Sequence, residues 1–517
     1  MFHRYKRCCI ILLCIFVMAA CVFPLYVSAE EDTAKDITEK VAFSGSAYQN
    51  YGFLIDKNTG NYKKSAENGE IIIESTTDIG SLDLLFDLQH DAYQITDNET
   101  GTVIIAGENS FLHEFVDLSQ VFGSDVNSVT IRFAGNSVFL GEIYVFSPGK
   151  VPNYIQQWDA PLDSKTDIVL FSSHADDDQL FFAGLLPLYA GERNYAVQVV
   201  YLTDHRNLTN GRTHELLNGL WAVGVKAYPV WGDYADFRID DLEKTYQRYE
   251  SYNITREDLL KFVVTQIRRF RPQVAIGHDI QGEYGHGMHM MYTDLLIKAL
   301  DVSNDPDAFP NLTQKYGTWQ VPKTYLHLYE ENQILLDYDN PLTAFDGMTA
   351  FEVSQKLGYP CHKSQQYTWF TQWINGNNNE ITKASQISTY SPCRFGLYST
   401  NVGSDVAKND FMENIISYAE QARIEEEKRL EEEKERLELE RQQEEERRRH
   451  EEEQKRLEAE KAAQEALRQQ EELHKALLEQ QQRQERRTFY AAIALLIVSA
   501  SGLILLPQLK RRKFSKK

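Results

Sequence analysis

The apolar run Ile168-Val169-Leu170-Phe171 leads through Ser172 into Ser173-His174-Ala175-Asp176-Asp177-Asp178, and this stretch decides the fold. An apolar run bounded by polar residues predicts a buried strand followed by a loop. In open α/β sheets, binding and catalytic sites lie at the carboxyl ends of the strands. We therefore expect a site in this loop, where one imidazole and one carboxylate bind a divalent metal while a neighbouring carboxylate handles a proton.

A second polar cluster follows another apolar run further along the chain. His286-Gly287-Met288-His289 comes shortly after Ile276-Gly277-His278-Asp279 and can supply a third protein ligand. Aspartates after a strand also cap helices or lie in solvated turns, so the first cluster alone is compatible with a structural role. The presence of both clusters, each after an apolar strand, favours a functional site.

Three segments, in order, resemble the motifs of the PIG-L/LmbE-type N-acetylglucosaminyl deacetylases. The first is His174-Ala175-Asp176-Asp177-Asp178, where the family usually has His-Pro-Asp-Asp-Glu. The second is Arg212-Thr213-His214-Glu215, similar to an arginine and a glutamate that open a helix. The third is Gly282-Glu283-Tyr284-Gly285-His286-Gly287-Met288-His289, similar to Gly-Glu-x-Gly-His-x-x-His. The resemblance spans residues 155–400 and departs from the family mildly at Ala175.

This resemblance implies a catalytic metal site. Zn²⁺ would be bound by His174, Asp177 and His289, with one position left open, although such a ligand set also suits other first-row divalent ions. Asp176 would be the general base, and His286 would stabilise the oxyanion or protonate the leaving amine. The structural alternatives are a helix cap for Asp176 and a ligand-orienting role for His286.

The resemblance also implies residues that support the site. Arg212 is similar to a substrate-contacting arginine, and the alternative is an ion pair with Glu215 on the same helix face. Three acidic residues are expected to contact the metal ligands and hold them in place: Asp178, Glu215 and Glu283. Aspartate instead of the usual glutamate at position 178 is expected to loosen the site. His214 is expected at the surface.

Residues 155–405 alternate between strand and helix patterns. Apolar runs at 168–172, 197–202 and 274–276 flank helical segments such as 212–223. Such alternation predicts an α/β fold with a Rossmann-like, mostly parallel sheet. No Gly-x-Gly-x-x-Gly follows the first strand, so dinucleotide binding is not supported.

Residues 40–150 show short apolar runs without helical periodicity. Val129-Thr130-Ile131-Arg132-Phe133 alternates strictly, as a half-buried strand does. Short strands at close spacing predict an all-β sandwich. The pattern resembles galactose-binding-like jelly rolls in outline, and both a glycan-binding role and a packing or spacer role remain open.

The C-terminal part predicts a stalk and an anchor. Residues 415–487 are rich in Glu, Arg and Gln and predict a long charged helix. Leu430 and Leu437 are one heptad apart, but Glu444 interrupts the repeat, so both a self-associating coiled coil and a single helix remain open. Residues 489–509 predict one transmembrane helix, and 510–517 a basic cytoplasmic tail.

The N-terminal residues 1–29 have the pattern of a signal peptide: basic residues, an apolar core and a small-residue cleavage site. Together with the anchor, this places a single-pass protein in the cell membrane with its catalytic domain outside the cell. The remaining cysteines, Cys361 and Cys393, then form one disulfide or stay as free thiols. The net charge of −22 argues against nucleic-acid binding.

Two classes of function are compatible with this organisation. The first is a zinc-dependent hydrolase that removes acetyl groups from N-acetylated sugars, such as N-acetylglucosamine-type glycans, at the cell surface. The second is a catalytically inactive surface protein that binds glycans or mediates adhesion. A zinc hydrolase of another amide or an ester is a further alternative within the first class.

Overall fold

The computed structural model describes residues 33–135, 137–203, 211–365 and 381–509, with side chains up to residue 500. The predicted signal peptide at 1–29 and the basic tail at 510–517 lie outside these residues. The chain divides into two compact units, Met1–Gln421 and Ala422–Lys517. The first unit contains both the β-rich region and the α/β region.

The β-rich region forms two packed antiparallel sheets. One has the strand order β1-β3-β8-β5-β6 and the other β2-β9-β4-β7, so the predicted N-terminal sheets are present. The strands are β1 (Ala42–Gly45), β2 (Lys63–Lys64), β3 (Glu70–Ile79), β4 (Ser81–Phe86), β5 (Tyr93–Asp97), β6 (Val103–Ala106), β7 (His113–Asp117), β8 (Val126–Arg132) and β9 (Phe139–Phe146). A short helix, α1 (Leu118–Phe122), follows β7.

The alternating sequence of β8 places its apolar residues in the core. Ile131 lies opposite Ile71 of β3 on one side and Ile95 of β5 on the other. All three side chains are fully buried in one hydrophobic core. Because alternate residues of a strand face opposite sides of a sheet, this register fixes which face of the first sheet packs inward.

Strand β4 is unusual for a sandwich strand because it is buried on both faces. Leu82 and Leu84 point into the core between the sheets, so Asp83 faces the outer side. There its neighbours in register are Phe115 of β7 and Tyr144 of β9. Those two rings pack against a further apolar cluster that includes chain downstream of β9, so the rest of the first unit covers this outer face.

We expect Asp83 to make the stability of the protein depend on pH. Burial, together with the Glu114 carboxylate, raises the pKa of Asp83 to about 8, and its Oδ1 lacks a hydrogen-bond partner. The folded state therefore keeps a proton that the unfolded chain, with a pKa of about 3.9, has lost. Stability falls as the pH rises from about 4 to about 8, by up to about 1.4 kcal/mol per pH unit.

Asp83→Asn cannot ionise, so its free energy of unfolding should exceed that of the wild type by an amount that grows across this pH range. Urea denaturation at pH 5 and pH 8 measures the difference. Asp78→Asn, at an exposed position of β3, is the matched control and should follow the wild type. Equal pH dependence in the Asp83 variant and the wild type would contradict the assigned protonation.

The α/β region contains a mixed sheet with the order β12-β11-β10-β13-β14-β16-β15. The five strands from β12 to β14 are parallel, and β16 and β15 are antiparallel additions at one edge. The predicted mostly parallel sheet is therefore present. Its strands are β10 (Ile168–Ser172), β11 (Val197–Thr203), β12 (Val230–Tyr234), β13 (Val274–Gly277), β14 (Lys323–His327), β15 (Gln333–Leu335) and β16 (Arg394–Thr400).

The strand order reverses at β10, and this reversal creates a crevice. From β10 the chain continues outward to β11 and β12, and it then returns to place β13 and β14 on the other side. Ile168 of β10 consequently has Val197 as its partner on one side and Val274 on the other. Ligands of open α/β sheets bind at the carboxyl ends of strands at such a switch point.

Helices cover the sheet, and one hydrophobic core continues into the sandwich. That core includes Leu84 and Ile131 of the sandwich together with Leu170 and Val199 of the parallel sheet. The two regions therefore share a core within the first unit. The helices of the α/β region are α2 (Asp177–Leu180), α3 (Gly211–Ala222), α4 (Leu242–Glu250), α5 (Arg256–Phe270), α6 (Gly287–Val302), α7 (Pro310–Tyr316) and α8 (Ala350–Val353).

The C-terminal sequence forms one long helix, α9 (Tyr418–Leu509), as its composition predicts. Leu430 and Leu437 are exposed on it. In the part of the chain that the structure describes, no helix carries a stretch long and apolar enough to cross a membrane. The transmembrane helix predicted at 489–509 is therefore not supported; residues beyond 500 lack described side chains. Cys361 and Cys393 are free thiols in the structure.

Candidate active site

The two predicted polar clusters meet at the switch point of the sheet. The loop after β10 carries His174, Asp176 and Asp177, and the start of α6 carries His286 and His289. All five residues are buried. The strand order therefore explains why segments far apart in sequence face each other here.

Three atoms of this site form a nearly equilateral triangle. His174 Nδ1 lies 3.0 Å from Asp177 Oδ2 and 3.2 Å from His289 Nε2, and His289 Nε2 lies 3.2 Å from Asp177 Oδ2. Ligand atoms about 2.0–2.1 Å from a tetrahedral zinc ion lie about 3.3 Å apart. The ligand set predicted from the sequence therefore converges with a spacing that fits a small divalent ion.

The electrostatics of this triangle favour bound positive charge. Burial alone would lower the pKa of His174, but Asp236 and Asp177 outweigh it and raise that pKa to about 10. The pKa of His289 is raised in the same way. Burial would lower it, but Asp177 and Glu283 outweigh that effect and raise the pKa to about 9. A field that stabilises imidazolium also stabilises a metal cation, so protons and metal compete for the same atoms.

Other combinations of nearby ligands are geometrically possible. His286 lies close enough to His174 and His289 to form a group, and so does His278 with Asp177 and His289. However, the Ser173 amide donates to His278 Nε2 at 2.9 Å, which occupies that lone pair. His278 therefore acts as a support of the site rather than as a ligand.

Glu283 collects three histidines behind the triangle. It faces Nδ1 of His289 at 2.7 Å, of His278 at 2.8 Å and of His327 at 2.6 Å. Burial would raise its pKa, but these imidazoles, His278 first, hold the pKa of Glu283 well below its usual range. The ionised carboxylate thus fixes the ring of His289 with Nε2 directed at the triangle, which agrees with the supporting role predicted for Glu283.

We expect Glu283→Gln to weaken metal binding without unfolding the protein. Glutamine keeps the shape but removes the charge that orients three imidazoles. Loss of such a partner typically weakens metal binding by about 10- to 100-fold. Competition with a chromophoric chelator measures the dissociation constant, with Glu257→Gln, at an exposed position of α5, as control. Unchanged affinity in Glu283→Gln would contradict this role.

Asp176 lies beside the triangle with a strained backbone. Its φ is 117° and its ψ −28°, a region that side-chain-bearing residues rarely occupy, and its side chain makes no capping hydrogen bond. The helix-cap alternative is therefore not supported. Burial raises the pKa of Asp176 to about 7, although Arg212 opposes that shift. A carboxylate with such a pKa suits a general base.

His286 presents an unpartnered nitrogen. Its Nδ1 is buried without a hydrogen-bond partner, and the ring centroid lies 5.0 Å from that of His174. Burial, with His174 and His289, lowers the pKa of His286 to about 3. A neutral imidazole with a free nitrogen at this position can hydrogen-bond a group that enters the site.

Arg212, at the start of α3, contacts the catalytic loop rather than Glu215. Its Nη2 donates to the Ala175 carbonyl at 3.0 Å and lies 3.7 Å from Asp176 Oδ1. Glu215 instead accepts from the backbone and the hydroxyl of Ser364. The ion pair considered for these two residues is therefore not formed, and Glu215 supports α3 rather than the ligands.

Asp178 and His214 differ in how well the sequence predicts them. Asp178 accepts from the Asp176 amide at 3.2 Å and from the Gln179 side chain at 2.7 Å, so the shorter side chain supports the catalytic loop locally.

The prediction of a surface position for His214 is wrong. It is only 4% exposed, because α3 turns this residue towards the sandwich.

The sequence analysis did not name Asp236 or His327 as residues of the site, and it named His278 without assigning it a role. Asp236 Oδ1 lies 3.0 Å from His174 Nε2, His278 and His327 bind Glu283, and His327 Nε2 also donates to the Ser391 carbonyl at 3.0 Å. His278 and His327 lie at or just after the carboxyl ends of β13 and β14, so the strand-end rule could have found them. Asp236 lies two residues past the carboxyl end of β12, but the sequence predicted only a short extended segment at 227–230 there.

The part of the chain that carries this site is similar to known proteins. Residues 169–300 match the family described as PIG-L: GlcNAc-PI de-N-acetylase. The chain is 28% identical to 1D-myo-inositol 2-acetamido-2-deoxy-alpha-D-glucopyranoside deacetylase 1 of Frankia alni, over 30% of this chain and 59% of that protein. It is 27% identical to the corresponding deacetylase of Mycobacterium leprae, over 32% of this chain and 61% of that protein.

Among solved structures, N,N'-diacetylchitobiose deacetylase from Pyrococcus horikoshii is similar with 16% identity and a TM-score of 0.32, over 45% of this chain and 83% of that chain. The chain spans about three fifths of the length of the curated relatives named above. Residues 169–300 form a PIG-L domain that is homologous to these GlcNAc-inositol deacetylases.

Proposed function

We propose that this protein hydrolyses the N-acetyl group of an amino sugar in a metal-dependent reaction that releases acetate and the free amine. The observation that carries the proposal is the converging triangle of His174, Asp177 and His289 beside Asp176, a buried carboxylate outside the triangle. The names of the homologous deacetylases support the choice of an acetylated amino sugar.

Each residue of the site has its own chemical role in this reaction. A divalent ion such as Zn²⁺, held by the triangle, would supply Lewis acidity and lower the pKa of water. Asp176 accepts a proton from the attacking water and can return it to the leaving nitrogen. His286, as a neutral imidazole, donates a hydrogen bond to the carbonyl oxygen as charge develops there. Arg212 holds Asp176 and the substrate.

The protein presents an exposed aromatic ring beside the site. The ring of Tyr284 is 36% exposed, and its centroid lies 5.5 Å from that of His289. Aromatic rings of this kind provide apolar surface and a polar hydroxyl at once, which suits a sugar ring. We infer that the acetylated sugar stacks near Tyr284, with N-acetylglucosamine-type glycans as the first substrates to test.

Acetate release by the full-length protein tests the activity. Purified protein is incubated with N-acetylglucosamine oligomers and cell-wall fragments, with and without a chelator, and its metal content is measured in parallel. Chelator-sensitive acetate release with about one metal ion per chain is expected. Metal-loaded protein without release would favour another amide or an ester. A metal-free protein that binds the glycans unchanged would favour an inactive binding protein.

We also propose that the reaction takes place outside the cytoplasm. The support is the signal-peptide pattern of residues 1–29. N-terminal sequencing of the protein from an exporting host should give Glu30 as the first residue, and fractionation should place the protein outside the cytoplasm. An intact Met1 and a cytoplasmic location would contradict this proposal.

A further inference from the structure

The back of helix α3 is held by the sandwich. Arg212 and His214 are two residues apart, so they point about 200° apart around the helix. Arg212 faces the catalytic loop, whereas His214 Nδ1 lies 2.8 Å from Nε2 of His113, which belongs to β7 of the sandwich. The two histidines therefore join the sandwich to the helix that carries the site arginine.

The histidine pair is a buried contact between neutral rings. Both residues are 4% exposed, and their ring centroids lie 5.0 Å apart. Burial lowers the pKa of His113 well below its usual value and that of His214 to about 4. One neutral imidazole donates and the other accepts, so each satisfies a buried nitrogen of its partner. Loss of either ring leaves the other nitrogen without that partner.

The strand end that carries His113 is itself rigidly attached to the α/β region. The Leu112 amide donates to the Tyr228 hydroxyl at 3.0 Å, and the rings of Phe111 and Tyr228 lie 4.6 Å apart. The backbone that carries His113 is therefore held by both the sandwich and the α/β region. Because its position is fixed, His113 can fix the position of α3.

We propose that His113 and His214 are positioning residues of the deacetylase site, through which the β-sandwich sets the place of Arg212 relative to Asp176 and the substrate. The inference rests on the proposed function for its catalytic consequence. The sandwich is then part of the machinery that orders the site, in addition to any glycan binding of its own. A displacement of about 1 Å in such a group can cost about 100-fold in rate.

Variants of the pair test this positioning. In His214→Ala and His113→Ala, kcat/KM for acetate release should fall by at least about 10-fold, mainly through a higher KM, with unchanged metal content. His214→Gln, which can keep a hydrogen bond to His113, should recover part of the loss. The double variant should be no worse than either single variant, because both remove the same contact.

The control variant is Thr38→Val, which removes a buried hydrogen bond within the sandwich, from the Val145 amide to Thr38 Oγ1 at 2.9 Å, and leaves β7 and α3 untouched. It should lower thermal stability while leaving kcat/KM within about twofold of the wild type, since distant surface and interface changes act mainly on stability. If His214→Ala also keeps its kcat/KM, or if Thr38→Val loses as much as His214→Ala, the positioning role is wrong.

Hydrogen exchange provides a readout that does not depend on catalysis. Amides of α3 should exchange faster in His214→Ala than in the wild type, and amides of α5 should not. If the wild-type protein releases no acetate, the proposed function fails, and the exchange experiment still decides whether the pair holds α3. Equal exchange of α3 in both proteins would overturn the inference.

Discussion

His174→Ala is expected to lose most of its metal and to release no measurable acetate. The imidazole supplies one corner of the triangle, at 3.0 Å from Asp177 Oδ2 and 3.2 Å from His289 Nε2. Because loss of an outer partner already weakens metal binding by about 10- to 100-fold, loss of a ligand should exceed that range. Elemental analysis after dialysis measures the occupancy.

The control for this prediction is His450→Ala, at an exposed position of α9. It removes the same side chain from the protein without touching the site, and it should keep wild-type occupancy. The His174 variant should also keep its fold, since the Asp177 carboxylate still accepts from the backbone amide of residue 174. Full occupancy in His174→Ala would exclude His174 as a ligand.

Asp176→Asn is expected to keep its metal and to lose activity by about 10²- to 10⁴-fold, the usual contribution of general acid–base catalysis. Asparagine has the same shape, but its amide does not accept a proton at neutral pH. Asparagine also tolerates a positive φ better than most residues, so it should accept the backbone of position 176, whose φ is 117°.

Steady-state acetate release and metal analysis on the same preparation measure both halves of this prediction. Asp279→Asn, the same change at a half-buried position that borders the site, should retain activity within a few-fold. A metal-free Asp176→Asn protein would show that Asp176 is a ligand. A fully active variant would remove it from the mechanism.

The sequence predicted those parts of the site that depend on local pattern. The apolar run before His174 and Asp177 and the run before His278 predicted polar residues at two strand ends, whereas the choice of His174, Asp177 and His289 as ligands came from the resemblance to the PIG-L/LmbE-type family. The mostly parallel sheet followed from the same alternation. The sheet could be predicted because strand burial and the position of a strand end are properties of short segments, whereas the ligand assignment stays a prediction.

Other features depended on tertiary contacts that short segments do not contain. We predicted a surface position for His214, but His113 of the sandwich, which is distant in sequence, contacts it. Asp236 follows β12, but Gly232 and Asp233 interrupt the apolar pattern of that strand. Glu215 could pair with Arg212 on a helix in isolation, but Ser364, from a distant segment, takes its carboxylate instead.

The hydrophobic core that continues from the sandwich into the α/β region restricts how this protein can be engineered. Strand β4 is buried on both faces, and the pair of His113 and His214 connects β7 to α3. The sandwich therefore cannot be exchanged for another domain without disturbing the α/β region. A design that replaces the sandwich with a carbohydrate-binding module would expose apolar surface and release the helix that carries Arg212.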